Sequence, residues 1–201
     1  MNGPAPLYGV VLAGGASRRM GRDKATLEYR GRSQVAIAFD LLSRHCQKTF
    51  VSVRPDQVND PARAALPQIV DEIAGIGPIA GIAAAQAAHP EAAWLVVACD
   101  LPFLGDAAIA RLVAARGAHA IVAYRSSHDG LPEPLCAIYE PSTRMAILDA
   151  VGRDRRCPRK FIIESGVPLL DQADPAALDN VNTPQDFASA VARLDTRSVP
   201  P

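Results

Sequence analysis

Short apolar runs alternate along this chain with segments whose apolar residues recur at helical spacing. The first run, LYGVVLA, is rich in β-branched residues and ends in Gly14-Gly15, as a buried strand does before a tight loop. The pattern predicts strands at 7–13, 49–53, 68–70, 94–98, 120–124 and 135–139, and helices at 35–46, 79–88 and 106–116. This alternation is typical of an α/β fold with a mostly parallel sheet and helices on both faces.

Three polar or glycine-rich positions directly follow predicted strands. Ligands of parallel α/β sheets bind at the carboxyl ends of the strands, in the loops that come next. Gly14-Gly15, Asp71 and Asp100 each follow such a strand, so we expect them to meet at one edge of the sheet.

The last third of the chain is less regular. Residues 161–163 have the apolar character of a short strand, and 153–160 carries a basic cluster in a predicted loop. A helix is expected to begin at Pro184, with Thr183 as its N-terminal cap.

Length and composition favour one globular domain over 1–201, with an ordered core of about 7–194. Lys+Arg and Asp+Glu both number 21, and aromatic residues make up 5% of the chain. This balance argues against nucleic acid or a membrane surface as a partner. Without a basic leader, a long apolar run or a C-x-x-C pair, the sequence predicts a cytoplasmic protein with reduced cysteines.

The densest chemistry lies in the sequence LAGGASRRMGRDK, from Leu12 to Lys24. Its glycines let backbone N–H groups approach a phosphate closely, and Ser17 adds a hydroxyl donor. Positive charge comes from Arg18, Arg19, Arg22 and Lys24. The spacing is neither that of a P-loop nor G-x-G-x-x-G. A solvated basic turn would not account for paired glycines after the first strand, so a polyphosphate site is predicted.

This segment fits the pattern L-A-G-G-x-S-x-R-M-G-x-D-K, and through it the chain resembles the molybdenum cofactor guanylyltransferases, a family of NTP transferases. The fixed positions are filled by Leu12, Ala13, Gly14, Gly15, Ser17, Arg19, Met20, Gly21, Asp23 and Lys24. The resemblance runs from about residue 7 to 187 and implies a three-layer Rossmann-like nucleotidyltransferase fold. It also implies transfer of GMP from GTP to molybdopterin, with release of pyrophosphate.

The resemblance further implies which residues hold and activate the nucleotide. Nucleotide binding falls to Leu12, Ala13, Gly14, Gly15, Ser17, Lys24, Asp71 and Asp100. Arg19, Lys24 and Asp100 are the implied catalytic residues, since the two cations would offset charge growing on the phosphates. Asp100, in the run C-D-L-P-F, is the implied ligand of Mg²⁺, a cation that prefers oxygen ligands.

Two further loops resemble those around the family's nucleotide. Asp71 precedes the run G-P-I-A-G-I at 77–82, and a carboxylate suits the N1–H and N2–H₂ donors of guanine. Base, ribose and water all stay open as the partner of Asp71. After the second strand this chain has Arg54-Pro55-Asp56 where the family often has Asn, which leaves the base contact from that loop open.

The acceptor side is implied by the run N-x-N-T-P at 180–184, which resembles the family's pterin segment. Asn180, Asn182 and Arg156 are the predicted acceptor-binding residues, because amide and guanidinium groups suit a pterin or a phosphate. The basic cluster at 153–160 is a candidate second phosphate site, and a solvated arginine-rich loop is the alternative.

Other functions stay open at this stage. A molybdenum cofactor cytidylyltransferase or a sugar-phosphate nucleotidyltransferase would use the same loop. A non-catalytic GTP-binding adaptor that delivers cofactor is an alternative of another class, although it would have no need of both Lys24 and Asp100. For the favoured enzyme, the substrates are GTP and molybdopterin, and molybdoenzymes or other proteins of the cofactor pathway are candidate partners.

Overall fold

The computed structural model describes residues 3–15, 19–71, 73 and 75–196. Within these ranges the strands are β1 (Leu7–Leu12), β2 (Glu28–Tyr29), β3 (Arg32–Ser33), β4 (Lys48–Val53), β5 (Gln68–Val70), β6 (Ala93–Ala98), β7 (Ile121–Arg125), β8 (Pro132–Tyr139) and β9 (Leu169–Leu170). The helices are α1 (Gln34–Ser43), α2 (Pro78–Ala88), α3 (Asp106–Ala114), α4 (Arg144–Gly152), α5 (Pro158–Ser165) and α6 (Pro184–Thr196). None of these helices has the length and apolarity needed to cross a bilayer.

One seven-stranded sheet runs through the described chain in the order β5-β4-β1-β6-β8-β7-β9. Every neighbouring pair is parallel except the two that involve β8, which runs against both β6 and β7. Strand β1 lies between β4 and β6, with Val11 opposite both Val51 and Val97. The predicted α/β fold with a mostly parallel sheet is therefore confirmed.

The apolar residues form a core on each face of the sheet, as three layers require. On one face, side chains of β1 and β6 pack against α1 and α3, where Leu42 and Ile109 are fully buried. On the other face, alternate residues of the same strands pack against α2, α4 and α5. Since successive side chains of a strand point to opposite faces, a strand buried on both must be apolar throughout, as β6 is.

The prediction of a strand at 161–163 is wrong, because these residues lie in α5. Pro158 begins this helix at a position where its missing N–H is not needed, and Gly166 ends it in the left-handed conformation, with φ at 64°. Ile162 is buried while its neighbour Ile163 is exposed, so the apolar run reflects one buried face and not a strand. The basic segment 153–160 is consequently only partly a loop.

The C-terminal segment returns to the carboxyl edge of the sheet. The backbone N–H of Val181 donates to the carbonyl of Asp100 over 3.0 Å, which fixes the segment beside the end of β6. Helix α6 then begins at Pro184 with the Thr183 hydroxyl accepting from the N–H of Asp186, as the predicted cap requires.

Candidate active site

A cavity of about 810 Å³ opens where β1, β4, β5 and β6 end. Strand order explains its position, because the loops after four adjacent parallel strands must meet at this edge. The predicted residues that line it are Leu12, Ala13, Gly14, Gly15, Arg19, Lys24, Asp71 and Asp100. Ser17, also predicted to bind nucleotide, lies outside the described residues.

At the start of the glycine loop, the backbone N–H of Ala13 is used within the sheet and not for a ligand. The N–H of Ala13 donates to the carbonyl of Ser52 over 3.1 Å and extends the pairing of β1 with β4. A Cβ at Gly15 would meet no atom within 4 Å, so packing in the described chain does not require a glycine there. Gly14 and Gly15 both line the cavity, so a ligand bound there would lie beside the backbone of these two glycines.

Two side chains of the site, those of Lys24 and Arg19, converge on the amide oxygen of Asn182. The Lys24 ammonium donates to this oxygen and also lies 2.8 Å from Oδ2 of Asp100. The guanidinium of Arg19 donates to the same Asn182 oxygen over 3.1 Å. Lys24 and Asp100 are only 14% and 19% exposed, so the tertiary fold holds this pair together at the cavity wall.

Local structure fixes where Lys24 points. Asp23 caps the single 3₁₀ turn Lys24–Thr26 by accepting from the N–H of Ala25 over 3.0 Å. Met20 is buried with Val181 in a small apolar cluster that packs against α6. Within the motif, Met20 therefore packs in an apolar cluster, and Lys24 brings a positive charge to the cavity.

Asn182 is itself held by the start of α6. The carboxylate of Asp186 accepts from the backbone N–H groups of Asn182 and Thr183, each over 2.9 Å. These backbone hydrogen bonds lower the pKa of Asp186, so the carboxylate stays charged at neutral pH. The amide of Asn182 is therefore presented to Lys24 from a rigid turn.

The other predicted acceptor residues lie apart from this cluster. Asn180 is exposed and lines a second cavity of about 350 Å³ with Phe103, His128 and Arg193. Arg156 pairs with Asp154 and donates over 3.3 Å to the carbonyl of Gly75, at the rim of the first cavity.

The predicted second phosphate site does not form a free basic patch. Ion pairs tie Arg153 to Asp149, Arg155 to Glu164, Arg156 to Asp154 and Arg159 to Asp129. Because each of these arginines has a carboxylate within 3 Å, the cluster is better described as a solvated, charge-balanced surface.

The far end of the cavity is lined by Asp71 and by the loop after β4. One carboxylate oxygen of Asp71 accepts from the N–H of Ile73 over 3.0 Å, and burial raises the pKa of Asp71. Arg54 forms a bidentate ion pair with the carboxylate of Asp56 and also donates to the carbonyl of Gly14. The loop in which the sequence departs from the family thus binds the glycine loop directly.

No activated nucleophile stands in the described part of the cavity. Cys99 lines it, but burial raises the pKa of this thiol to about 12. Burial also raises the pKa of Cys136 above its usual range. None of the four histidines, all of which are described, lines the cavity. The site is consequently built to hold charged groups and to stabilise charge.

The donor set fits a divalent cation that arrives with phosphates. Among the described lining residues, the cations are Arg19, Lys24 and Arg54, and the carboxylates are Asp23, Asp56, Asp71 and Asp100. A triphosphate would add negative charge to these carboxylates unless a cation came with it. Within the described ranges no group of three or more His, Cys, Asp or Glu could enclose a metal. Mg²⁺ suits such a site, since it binds through one or two carboxylates, waters and substrate phosphates.

Sequence comparison assigns the chain to a family. Residues 9–169 match the MobA-like NTP transferase domain, which is most of the chain. The chain belongs to this family. The resemblance stated from the glycine loop is thereby confirmed, and with it the prediction that the protein is a nucleotidyltransferase.

Relatives of this MobA-like protein carry related names. A probable molybdenum cofactor guanylyltransferase of Opitutus terrae is 35% identical over 191 residues, covering 90% of this chain and 92% of that protein. A molybdenum cofactor biosynthesis bifunctional protein of Synechocystis is 35% identical over 183 residues, which are 90% of this chain. The match covers 53% of the Synechocystis protein, so the chain spans about half the length of that relative.

Solved structures share the fold. The molybdopterin-guanine dinucleotide biosynthesis protein A of Archaeoglobus fulgidus superposes with a TM-score of 0.76 at 22% identity, covering 94% of this chain and 99% of that one. A Mycobacterium tuberculosis protein solved as a complex with manganese has a TM-score of 0.66 at 20% identity, covering 94% of this chain and all of that one. Both neighbours confirm the nucleotidyltransferase architecture of this MobA-like chain.

Gly81 brings α2 against the sheet beneath the cavity, and we expect its replacement by Ala to disturb both. A Cβ at this position would lie 2.7 Å from Cδ2 of Leu12 and 2.8 Å from Oγ of Ser52, and all three residues line the cavity. Overpacking of this kind costs about 1–3 kcal/mol, so Gly81→Ala should lower the free energy of unfolding in urea and raise the KM for the nucleotide.

Gly152→Ala is the matched control, because Gly152 also lies in a helix but has open space around its Cβ position. A helical Ala there should leave KM unchanged and stabilise the fold slightly. Equal behaviour of the two variants would contradict the close approach at Gly81.

Proposed function

We propose that this protein transfers GMP from GTP to molybdopterin and releases pyrophosphate. The observation that carries the proposal is the convergence of Lys24, Arg19 and Asp100 around Asn182, directly beside the glycine loop. A member of the MobA-like NTP transferase family with this cluster has what nucleotidyl transfer needs: donors for phosphates, positive charge and one oxygen ligand for a cation.

The glycine loop would hold the triphosphate. Gly14 and Gly15 line the cavity, and the positive end of α2 also lines it through Gly77 and Pro78. Asp71, which lines the far end of the cavity, is proposed to accept from a guanine base. Lys24 and Arg19 would then lie near the α-phosphate and the leaving pyrophosphate, where charge develops.

The acceptor would approach from the side of Asn182. Its phosphomonoester oxygen forms a bond to the α-phosphorus of GTP while the bond from that phosphorus to the bridging oxygen breaks, and pyrophosphate leaves. The attacking oxygen is already anionic, so no side chain has to remove a proton. This fits a cavity in which burial keeps Cys99 protonated. Catalysis is then a matter of positioning and charge stabilisation.

Asn180 and Arg156 are proposed to extend this acceptor side. Asn180 borders the second cavity and Arg156 the rim near Gly75, so they would contact different parts of a long acceptor.

Asp100 is the residue proposed to hold Mg²⁺. When bound, the ion would neutralise phosphate charge and orient the phosphates for in-line transfer. Oδ2 of Asp100 accepts from the Lys24 ammonium in this structure, so a cation bound to Asp100 would share this carboxylate with Lys24.

The proposal includes GTP and molybdopterin as substrates, molybdoenzymes or other cofactor-pathway proteins as partners, and a cytoplasmic location. Neither nucleic acid nor a membrane surface is among the proposed partners, since the charges of the chain balance.

Product analysis after incubation with all four NTPs, Mg²⁺ and molybdopterin tests the proposal. We expect the guanine dinucleotide form of the cofactor and one pyrophosphate for each product formed, dependent on both GTP and molybdopterin. Omitting molybdopterin is the control for simple NTP hydrolysis.

Each other result points to a different function. A cytosine dinucleotide would mean a cytidylyltransferase, and transfer to a sugar phosphate but not to molybdopterin would mean a sugar-phosphate enzyme. GTP binding without pyrophosphate release would identify a cofactor-delivery adaptor. Any of these results contradicts the proposed reaction.

A further inference from the structure

A buried arginine behind the glycine loop holds both ends of that loop. Arg63 is fully buried, yet it carries a charge, and it does not line the cavity. One guanidinium nitrogen, Nη2, donates to the carbonyl of Ala13 over 2.9 Å and to Oδ2 of Asp23 over 2.6 Å. The other terminal nitrogen, Nη1, lies 3.1 Å from Asp60. A buried guanidinium is tolerated only with such partners.

The two groups bound by Nη2 stand at opposite ends of the phosphate loop. Ala13 follows β1 and precedes the paired glycines, whereas Asp23 directly precedes Lys24. Arg63 thereby ties the residue before the paired glycines to the residue before Lys24. The loop is therefore closed at its base by a side chain from a different part of the chain.

The contact with Ala13 also sets the direction of a phosphate donor. In a trans peptide the C=O and the following N–H point to opposite sides. Holding the Ala13 carbonyl toward Arg63 thus turns the N–H of Gly14 away from Arg63.

The contact with Asp23 orients Lys24. Asp23 uses one carboxylate oxygen for Arg63 and the other for the N–H of Ala25, which caps the turn that carries Lys24. Moving Asp23 would move this turn, and with it the Lys24 ammonium relative to Asp100.

We propose that Arg63 is a positioning residue for nucleotidyl transfer, which sets the Gly14 N–H through Ala13 and the Lys24 ammonium through Asp23. The inference rests on the proposed function, since it concerns the same site. Displacing reacting groups by about 1 Å can cost about 10²-fold in rate. Arg63→Met removes the donors at similar volume. Arg63→Lys keeps the charge, but it replaces the planar guanidinium, whose two terminal nitrogens face Ala13, Asp23 and Asp60, with a single ammonium.

Arg116→Met is the matched control. Arg116 binds both oxygens of Glu140, and it donates to the carbonyl of Ala5 over 3.0 Å, just before β1 begins. It thus resembles Arg63 in its bonds, but it lies at the opposite end of the same strand, away from the cavity.

The experiment compares the variants by thermal melting, by the Kd of a fluorescent GTP analogue, and by single-turnover rate with saturating GTP, Mg²⁺ and molybdopterin, well below each melting temperature. We expect Arg63→Met and Arg116→Met both to lower Tm. Only Arg63→Met should weaken GTP binding and slow the single-turnover step by about 10²-fold. Arg63→Lys should restore Tm more than it restores rate, and Arg63→Met should add little to the rate loss of Asp23→Ala.

Wild-type rate and Kd in folded Arg63→Met or Arg63→Lys would overturn the proposal, as would equal rate losses in Arg63→Met and Arg116→Met. If the wild-type protein binds GTP but transfers nothing, the proposed function fails, and the Kd comparison still decides the role of Arg63. If the wild-type protein binds no nucleotide, both fail.

Discussion

Lys24→Ala should lower the single-turnover rate by about 10²–10³-fold, the loss typical of removing one group that stabilises developing charge. The Lys24 ammonium lies between Asp100 and Asn182 at the edge of the glycine loop, where the α-phosphate and pyrophosphate of the nucleotide are proposed to lie. The measurement is transfer from saturating GTP with Mg²⁺ and molybdopterin.

Lys48→Ala provides the control for loss of a lysine. Lys48 begins β4 at the opposite edge of the sheet, where its ammonium lies 5.2 Å from the centre of the Tyr8 ring. Its removal should leave the rate unchanged. A folded Lys24→Ala protein that keeps near-wild-type turnover would show that this lysine has no part in the chemical step.

Asp100→Asn should cause a loss of similar size, about 10²–10³-fold, but with a different dependence on metal. Asparagine keeps the shape and can still accept from Lys24, whereas it lacks the negative charge of the carboxylate that is proposed to hold Mg²⁺. The variant should therefore need more Mg²⁺ to reach half of its maximal rate, and a Mg²⁺ titration of the single-turnover rate measures this shift.

Asp106→Asn controls for the loss of a carboxylate after the same strand. Asp106 is bound by Arg44 and His45, and the side-chain hydrogen bond from Arg44 lowers its pKa to about 2. It lies outside the cavity, so its replacement should affect neither rate nor Mg²⁺ dependence. An unchanged Mg²⁺ requirement in Asp100→Asn would remove Asp100 from the metal site.

Local patterns predicted the elements of the sheet better than those of the last third. Strand β6 is apolar throughout and buried on both faces, so its continuous apolar run is enough to predict it from the sequence. The helix over 158–165 was missed because its apolar residues number few and its buried face is narrow, which resembles a short strand. Of the acids that pair with the arginines at 153–159, Asp149 and Asp154 are close in sequence, whereas Asp129 is 30 residues from Arg159 and is brought to it only by the fold.

Two arginines, Arg54 and Arg63, make contacts with the glycine loop that the sequence did not predict. Arg54 was noticed only as a departure from the family's usual residue, and Arg63 belongs to no motif. Both donate to carbonyls of the glycine loop across about forty to fifty residues of sequence. Such contacts depend on how the segment after β4 folds back, which no periodicity describes.

By itself, the sequence determined the α/β class, the position of the glycine loop after the first strand, and the two carboxylates, Asp71 and Asp100, that follow strands of the sheet. These follow from local rules: apolar runs form buried strands, and loops after parallel strands meet at one edge. Only the tertiary structure decided that Asn182 joins Lys24 while Asn180 faces another cavity, and that Arg63 closes the loop from behind. Those outcomes depend on long-range packing and on pairing of buried charge, which arise only when distant segments are brought together.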